Sequence, residues 1–172
     1  MHTIGRAQRS EEIVDLLLAC HGRIRSFAAT AVAVGERTDL TDDDVVDGCA
    51  RVQRYFSEAL PLHMEDEEDG VLPRLHGRSP ELDAALETMS EEHDAHAVLL
   101  RQLLALCASL RVDPRDANAR AALGSVAKRL LVELEEHLAA EERIVFPAIR
   151  ELLTSEQRAE MVRELRARRQ PP

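Results

Sequence analysis

Residues 63–75 read HMEDEEDGVLPRL, and residues 137–149 read HLAAEERIVFPAI. The two stretches share a histidine at the first position, glutamates at the fifth and sixth, valine at the ninth and proline at the eleventh. Agreement at several spaced positions indicates an internal repeat. We therefore interpret the chain as two related halves, each containing one copy of this stretch.

The spacing within each copy places the histidine and the first glutamate on one helical face. In an α-helix, a residue four positions further on returns to within about 40° of the starting direction, whereas a residue five positions on points about 140° away. The pairs that share a face are His63 with Glu67 and His137 with Glu141. The second glutamate of each copy is predicted to face elsewhere. An imidazole and a carboxylate presented by each of two helices are typical of a metal centre inside a bundle.

The composition is that of a single globular domain covering residues 1–172, with a bundle at about 10–150 and a short helix at about 155–168. The net charge of −10 argues against nucleic acid and anionic lipid as partners. We see no uninterrupted apolar run of about 18 residues and no signal peptide, so we expect a soluble cytoplasmic protein without membrane contact. The three cysteines lie far apart and outside any CxxC pattern, which predicts reduced, buried thiols.

Apolar residues recur at helical period, and helix-start signals divide the chain. The first helix is predicted at residues 10–36 with Ser10 as its N-cap, and the second at about 43–76 after Thr41. The third begins at Ser79, the fourth follows a turn at residues 113–114, and Thr154 opens a short fifth helix. Strand-like alternation is missing. The predicted fold is all-α: an antiparallel up-down-up-down four-helix bundle with a short C-terminal fifth helix. Pro61 should distort the second helix just before His63.

Polar residues interrupt the apolar stripes in the middle of each long helix. Those predicted to face the bundle axis are His21, His63, Glu67, His93, His137 and Glu141. Burying carboxylates and imidazoles in an aliphatic core costs several kcal/mol per unpaired charge, and a bound metal compensates for that cost. The alternatives are surface ion pairs at four-residue spacing and hydrogen-bonded core histidines.

The order H, HxxxE, H, HxxxE would give each of two metals two histidines, with both glutamates placed to bridge them. Such a donor set suits a pair of iron ions better than a closed tetrahedral zinc site, although zinc or manganese can occupy the same donors. His96 is open to three interpretations: a fifth nitrogen ligand, a hydrogen-bond partner of a ligand, or a partly exposed side chain. Tyr55 either donates to a metal-bound oxygen species from just outside the ligands or simply packs. Apart from Glu67, the acidic run at residues 65–69 is predicted to be a solvated face.

These motifs resemble those of the hemerythrin-like, or HHE cation-binding, family. The matching elements are His21, His63 to Glu67 followed by Val71-Leu72-Pro73, Glu92-His93, and His137 to Glu142 followed by Val145-Phe146-Pro147. The resemblance spans roughly residues 10–150. It implies a four-helix bundle holding an oxo- or hydroxo-bridged pair of iron ions that reacts with dioxygen or related small molecules.

One position departs from the oxygen-carrying members of that family, whose third helix supplies two histidines four residues apart. Here position 97 is alanine, and the second histidine is His96, at three residues. With two histidines per iron, both metals keep an exchangeable position, which favours reaction with peroxide or nitric oxide over simple oxygen carriage.

The expected function is therefore binding of, or reaction with, O2, peroxide or NO, and an enzyme of this kind would be a peroxide- or NO-reactive di-iron oxidoreductase. The alternatives are a metal- or redox-responsive regulatory module without turnover, and an iron or oxygen carrier. Neither the Glu-x-x-His motif of ferritin-type bundles nor the HExxH motif of zinc proteases occurs. The sequence leaves the oligomeric state open.

Overall fold

The computed structural model describes residues 12–170, which form five helices and no strand. In chain order the helices are α1 (Ile13–Glu36), α2 (residues 42–75), α3 (Pro80–Val112), α4 (residues 117–152) and α5 (Ser155–Arg168). Helix α1 packs against α2 and α4, and α3 packs against the same two helices. Since short connections reverse the chain between successive helices, the four long helices form an antiparallel bundle. The predicted fold class is confirmed.

Helix starts follow the capping signals in the sequence. Thr41 and Asp44 form a reciprocal capping box at the start of α2, and Thr154 does the same with Gln157 at α5. The Ser79 side chain accepts from the Leu82 N–H at the start of α3. These predicted starts are confirmed. The predicted cap Ser10 lies outside the described residues, but α1 begins at Ile13 with the extended residue Glu12 as its N-cap, so the predicted start at residue 10 is wrong.

Helices α2 and α4 contain wider turns of π-helix at Tyr55–Ala59, Asp66–Val71 and Glu141–Val145. Each is followed at once by one residue and then a proline: Pro61, Pro73 and Pro147. The N–H of the residue before each proline reaches back five residues instead of four. Because proline offers no N–H, the helix loses a regular bond there and the preceding turn widens. The distortion predicted before His63 is confirmed, and the same device recurs at both glutamate turns.

The apolar core is divided into two clusters by a layer of polar side chains. One cluster contains Ile24, Leu60, Leu99 and Leu134, and the other contains Leu17, Val71, Met89 and Val145. Along each long helix, the histidine predicted as a ligand falls between the residues of one cluster and those of the other. The bundle therefore carries a buried polar layer between two apolar layers.

Two features of the glycines shape the bundle. A Cβ on Gly35 would lie 2.4 Å from the Cα of Gly124, so α1 and α4 cross in close contact there. Gly35 is thus a packing residue within α1, which continues to Glu36. Gly77 has a φ of 79°, a left-handed conformation that follows the end of α2.

Helix α3 is long and apolar enough, by length and composition alone, to cross a membrane, with a mean hydropathy of 1.4 over 18 residues. Charged residues interrupt this helix, so the criterion reports its mean hydropathy and not an uninterrupted apolar run. In this structure, α3 packs between α2 and α4, and core helices of bundles also meet this criterion.

Candidate metal centre

Six side chains from the four long helices converge in the polar layer and form two clusters. One cluster consists of His21, His63, Glu67 and Glu141, and the other of Glu67, His93, His137 and Glu141. Within each cluster, one ligand-type atom per residue lies within 4.8 Å of all the others. Every member is buried. The structure therefore brings together all six residues predicted from the sequence spacing.

In the first cluster, both histidines turn Nε2 towards carboxylate oxygens. Nε2 of His63 lies 3.3 Å from Oε1 of Glu67, and Nε2 of His21 lies 3.2 Å from Oε2 of Glu141. His21 Nε2 also lies 3.8 Å from Oε1 of Glu67. The two imidazole rings meet edge to face, with centroids 5.2 Å apart.

The second cluster uses the remaining oxygen of each carboxylate. Nε2 of His93 lies 3.4 Å from Oε2 of Glu67, and Nε2 of His137 lies 3.1 Å from Oε1 of Glu141. Their rings also meet at a steep angle, with centroids 4.9 Å apart. Each glutamate thus presents one oxygen to each cluster, as a bridging carboxylate would.

Three of the four histidines are held from behind by a further carboxylate. The bonds join Nδ1 of His21 to Glu142 at 2.8 Å, Nδ1 of His93 to Glu68 at 3.0 Å, and Nδ1 of His137 to Glu92 at 2.7 Å. A carboxylate on the second nitrogen fixes the ring orientation and increases the basicity of the first nitrogen. The prediction that Glu68 and Glu142 face elsewhere holds for their own helix. The prediction did not include their contacts to histidines of neighbouring helices, although the repetition of the Glu-Glu pair in both copies indicates a role for the second glutamate.

The fourth histidine, His63, has different surroundings. The neighbouring polar group is the Cys20 thiol, which interacts with the His63 ring and accepts a hydrogen bond from Arg23 at 3.0 Å. Neither ring nitrogen of His63 has a hydrogen-bond partner among the described residues. Cys20 precedes His21 as Glu92 precedes His93, so a thiol stands where the other half of the molecule has a carboxylate.

The sequence matches a family profile described as the hemerythrin HHE cation-binding domain over two overlapping segments, residues 12–124 and 96–170. Together these cover most of the chain. The chain belongs to the hemerythrin HHE cation-binding family. It is also 26% identical to an uncharacterized protein of Haemophilus influenzae over 165 residues, which cover 92% of this chain and 91% of that protein.

A metal fits the HHE site because the buried donors lack other partners. Atoms without a hydrogen bond among the described residues are Nε2 of His21, both ring nitrogens of His63, and all four carboxylate oxygens of Glu67 and Glu141. Leaving such groups unpaired in a low-dielectric interior is costly, whereas coordination to a cation satisfies nitrogen and oxygen donors together. The structure thus supports metal binding at this place in the HHE fold.

Imidazoles and carboxylates of the centre also interact electrostatically. Burial alone would lower the pKa of His21, but the close carboxylates of Glu141 and Glu67 raise it to about 10. Burial opposes the same effect at His137, where Glu141 and then Glu92 raise the pKa to about 9. Burial would raise the pKa of Glu67, but the charge of His63 and the nearby His21 and His93 hold it well below its usual range. Without metal, the histidines therefore act as cationic partners of the two carboxylates.

His96 and Tyr55 lie next to the centre but outside both clusters. The buried ring of His96 meets the ring of His137 edge to face at 5.3 Å, and burial followed by the His137 charge lowers its pKa. Because His96 is buried, the interpretation as a partly exposed side chain is wrong, whereas a fifth ligand and a hydrogen-bond partner of a ligand stay predictions. The Tyr55 hydroxyl donates to the backbone carbonyl of Cys20 at 3.5 Å, and its ring stacks on Phe27. Tyr55 therefore packs rather than pointing at the carboxylates.

Asp66, beside Glu67, corrects another expectation. It was predicted on a solvated face, yet it is only 3% exposed and accepts hydrogen bonds from Arg168 at 3.1 Å and Arg169 at 2.6 Å. These arginines come from the C-terminal end of α5 and the residue that follows it, far away in sequence. The turn that carries Glu67 is therefore tied to the fifth helix.

Proposed function

We propose that this protein holds two iron ions in the polar layer and binds or reacts with O2, peroxide or NO there. His21 and His63 would hold one ion, His93 and His137 the other, and Glu67 and Glu141 would bridge the pair. The observation that carries this proposal is the division of each carboxylate between the two clusters, one oxygen to each. A pair of iron ions supplies two-electron redox chemistry to small oxygen- or nitrogen-containing ligands.

The donor count supports exchange of a small ligand. Each cluster offers two nitrogens and two carboxylate oxygens, four protein donors, whereas iron commonly takes more. Both positions would therefore retain a place for an external ligand. This differs from closed structural zinc sites, in which four protein ligands complete the coordination.

A small pocket beside the imidazoles supports binding of a ligand close to water in size. It has a volume of about 10 Å³ and is lined by His63, His93, His96 and His137 together with Ile24, Leu60, Met64, Leu100, Leu134 and Leu138. A space of this size holds about one water-sized molecule. The aliphatic side chains would restrict water around a ligand, and the four histidine rings are the polar groups that would face it.

The direct test is metal analysis of the purified protein, with optical spectra recorded under air and after reduction. We expect two iron ions per chain, matching the two clusters, and visible absorption that bleaches on reduction and returns with peroxide. Chelation should lower the melting temperature, because free metal at a thousand times its Kd stabilises a protein by about 4 kcal/mol. A chelated protein that melts like the untreated one, or a bound metal that shows no redox change, would contradict the proposal.

A second candidate is a metal- or redox-responsive regulatory module without turnover, or a simple carrier. The favouring observation is the link from the Glu67 turn through Asp66 to Arg168 and Arg169, which connects the site to α5. Sustained consumption of peroxide or NO would favour the enzyme. Stoichiometric binding without turnover, accompanied by altered protease sensitivity of α5, would favour the regulatory module.

A further inference from the structure

The two halves of the molecule differ in what covers the groove beside the metal ligands. In the first half, the groove lies between α1 and the turn Asp66–Val71; in the second, it lies between α3 and the turn Glu141–Val145. The repeat makes these grooves equivalent, because His21 corresponds to His93 and Glu67 to Glu141. Any difference between them therefore reflects the surroundings rather than the ligands.

Helix α5 fills the groove of the first half. Its Met161, Val162 and Leu165 belong to the same apolar cluster as Ile13, Leu17 and Val71 of the groove. At its two ends, Arg158 lies 3.4 Å from Glu12 and Arg169 bonds to Asp66. The His21–His63 side of the centre is thus sealed by the chain itself.

The equivalent groove of the second half remains open as a cavity of about 320 Å³. Ala84 and Ala85 line it at the positions where the first half has Glu12 and Ile13, so the walls are recessed. No helix of residues 12–170 covers it. Among its lining residues are His137 and Glu141, and both carboxylate oxygens of Glu141 are buried without a hydrogen-bond partner. The cavity therefore leads from the surface to donors of the centre.

The charges along this cavity suit a cation. Glu81 lies in the exposed part of the lining and Glu92 deeper, where it already bonds to His137. Arg143 and, at the inner end, His137 are the basic side chains in the lining. A divalent ion moving inwards would pass from one carboxylate to the next before meeting His137 and Glu141.

We propose that this cavity is the route by which divalent metal ions reach and leave the centre, so that the His93–His137 position exchanges before the His21–His63 position sealed by α5. This inference rests on the proposed two-metal function. It assigns to the open groove a role that the ligand residues themselves do not reveal.

The test uses Co²⁺, whose optical bands report binding, and the metal-free full-length protein. We expect equilibrium uptake of two ions, and two phases of release to excess chelator.

Thr88→Phe places a bulky ring in the cavity at an exposed position, away from the ligands. Entry of Co²⁺ to the centre would then require local opening of the bundle. We therefore expect the rate of loading to fall at least about tenfold, with the same final number of ions per chain. Glu81→Gln should slow it about two- to threefold.

Two variants serve as controls. Ala95→Phe adds the same bulk at an exposed position of α3 that does not line the cavity, and should load like the wild type. Arg169→Ala loosens α5 and should leave the fast phase unchanged. Release in one phase, an unchanged loading rate in Thr88→Phe, or a changed fast phase in Arg169→Ala would overturn the proposed route. A final stoichiometry below two in the wild type would instead overturn the two-metal function on which the route depends.

Discussion

The two halves of this HHE protein repeat their ligands but not their surroundings. In both, a histidine and a glutamate four residues apart face the axis, and a second glutamate holds the histidine of a neighbouring helix. Behind the ligands, the first half has Cys20 where the second half has Glu92. The groove of the first half is covered by α5, whereas the equivalent groove of the second half is an open cavity. The comparison shows that the repeat preserves what coordination requires, while the outer residues are free to make the two positions unequal.

The largest expected effect tests whether the halves share their carboxylates. Glu67→Ala and Glu141→Ala each remove one oxygen donor from both clusters, so each should deprive the purified protein of both metal ions. Metal content per chain is the measurement. Glu65→Ala, an exposed residue of the same helix, is the matched control and should retain the metal. A variant that keeps one tightly bound ion would show that each half builds its own site.

The next effect concerns the pH dependence of the metal-free protein. The pKa of His21 is raised to about 10 and that of His137 to about 9, mainly by Glu141 acting against burial. A histidine with a raised folded-state pKa stabilises fully below its unfolded value of about 6.5, and this contribution is lost as pH rises through the folded value. The free energy of unfolding in urea should therefore fall between pH about 6.5 and 10, by on the order of several kcal/mol.

Metal-loaded protein provides the control for this pH series, because coordinated imidazoles carry no proton to lose at these pH values. Its unfolding free energy should change much less over the same range. Equal curves for the two forms would mean that the histidines are not charged partners of Glu67 and Glu141 in the absence of metal.

A smaller effect should separate the thiol from the carboxylate. Glu92→Ala removes the bond to Nδ1 of His137, and loss of such an outer partner typically lowers metal affinity by about 10–100-fold. Cys20→Ala removes a neutral thiol from beside His63 instead of a charged carboxylate, so the affinity should change by no more than about threefold. Competition with a chelator of known affinity measures both. Equal losses would erase the proposed difference between the two positions.

The smallest effect tests the tie between α5 and the Glu67 turn. Asp66→Asn keeps the shape of the side chain but removes the charge that faces Arg168 and Arg169. Because the arginines are partly exposed, we expect a loss of only about 1–2 kcal/mol in unfolding free energy. Asp69→Asn, an exposed residue of the same turn, should have no measurable effect. An equal loss in both variants would remove the case for a specific tie.

The fold and the inner ligands could be predicted because they depend on local spacing. Helix starts at Thr41, Ser79 and Thr154 follow from capping chemistry, and the four-residue interval fixes which glutamate faces the axis. Pro61 likewise predicted the distorted turn before His63. These features require only a few neighbouring residues, which the sequence displays directly.

What escaped prediction depends on residues distant in sequence. Asp66 was read as solvated because its arginine partners are about a hundred residues away, on a helix whose docking position no periodicity specifies. Likewise, the orientation of Tyr55 towards Cys20 and the open cavity beside His137 result from helix packing. Glu68 and Glu142 are an intermediate case. Their repetition is visible in the sequence, but the histidines that they contact lie on other helices.

The wide turns have a consequence for how such a protein can change over generations. Glu67 and Glu141 each begin a span that closes one residue later than a regular helix, so each span holds one residue more than a regular turn. Deleting a single residue there would restore a regular turn and leave the residues beyond it on about the same face, whereas a deletion in a regular stretch of α2 or α4 would rotate everything beyond it by about 100°. Lineages can therefore lose a residue inside these two spans with less damage to the core than elsewhere in the same helices.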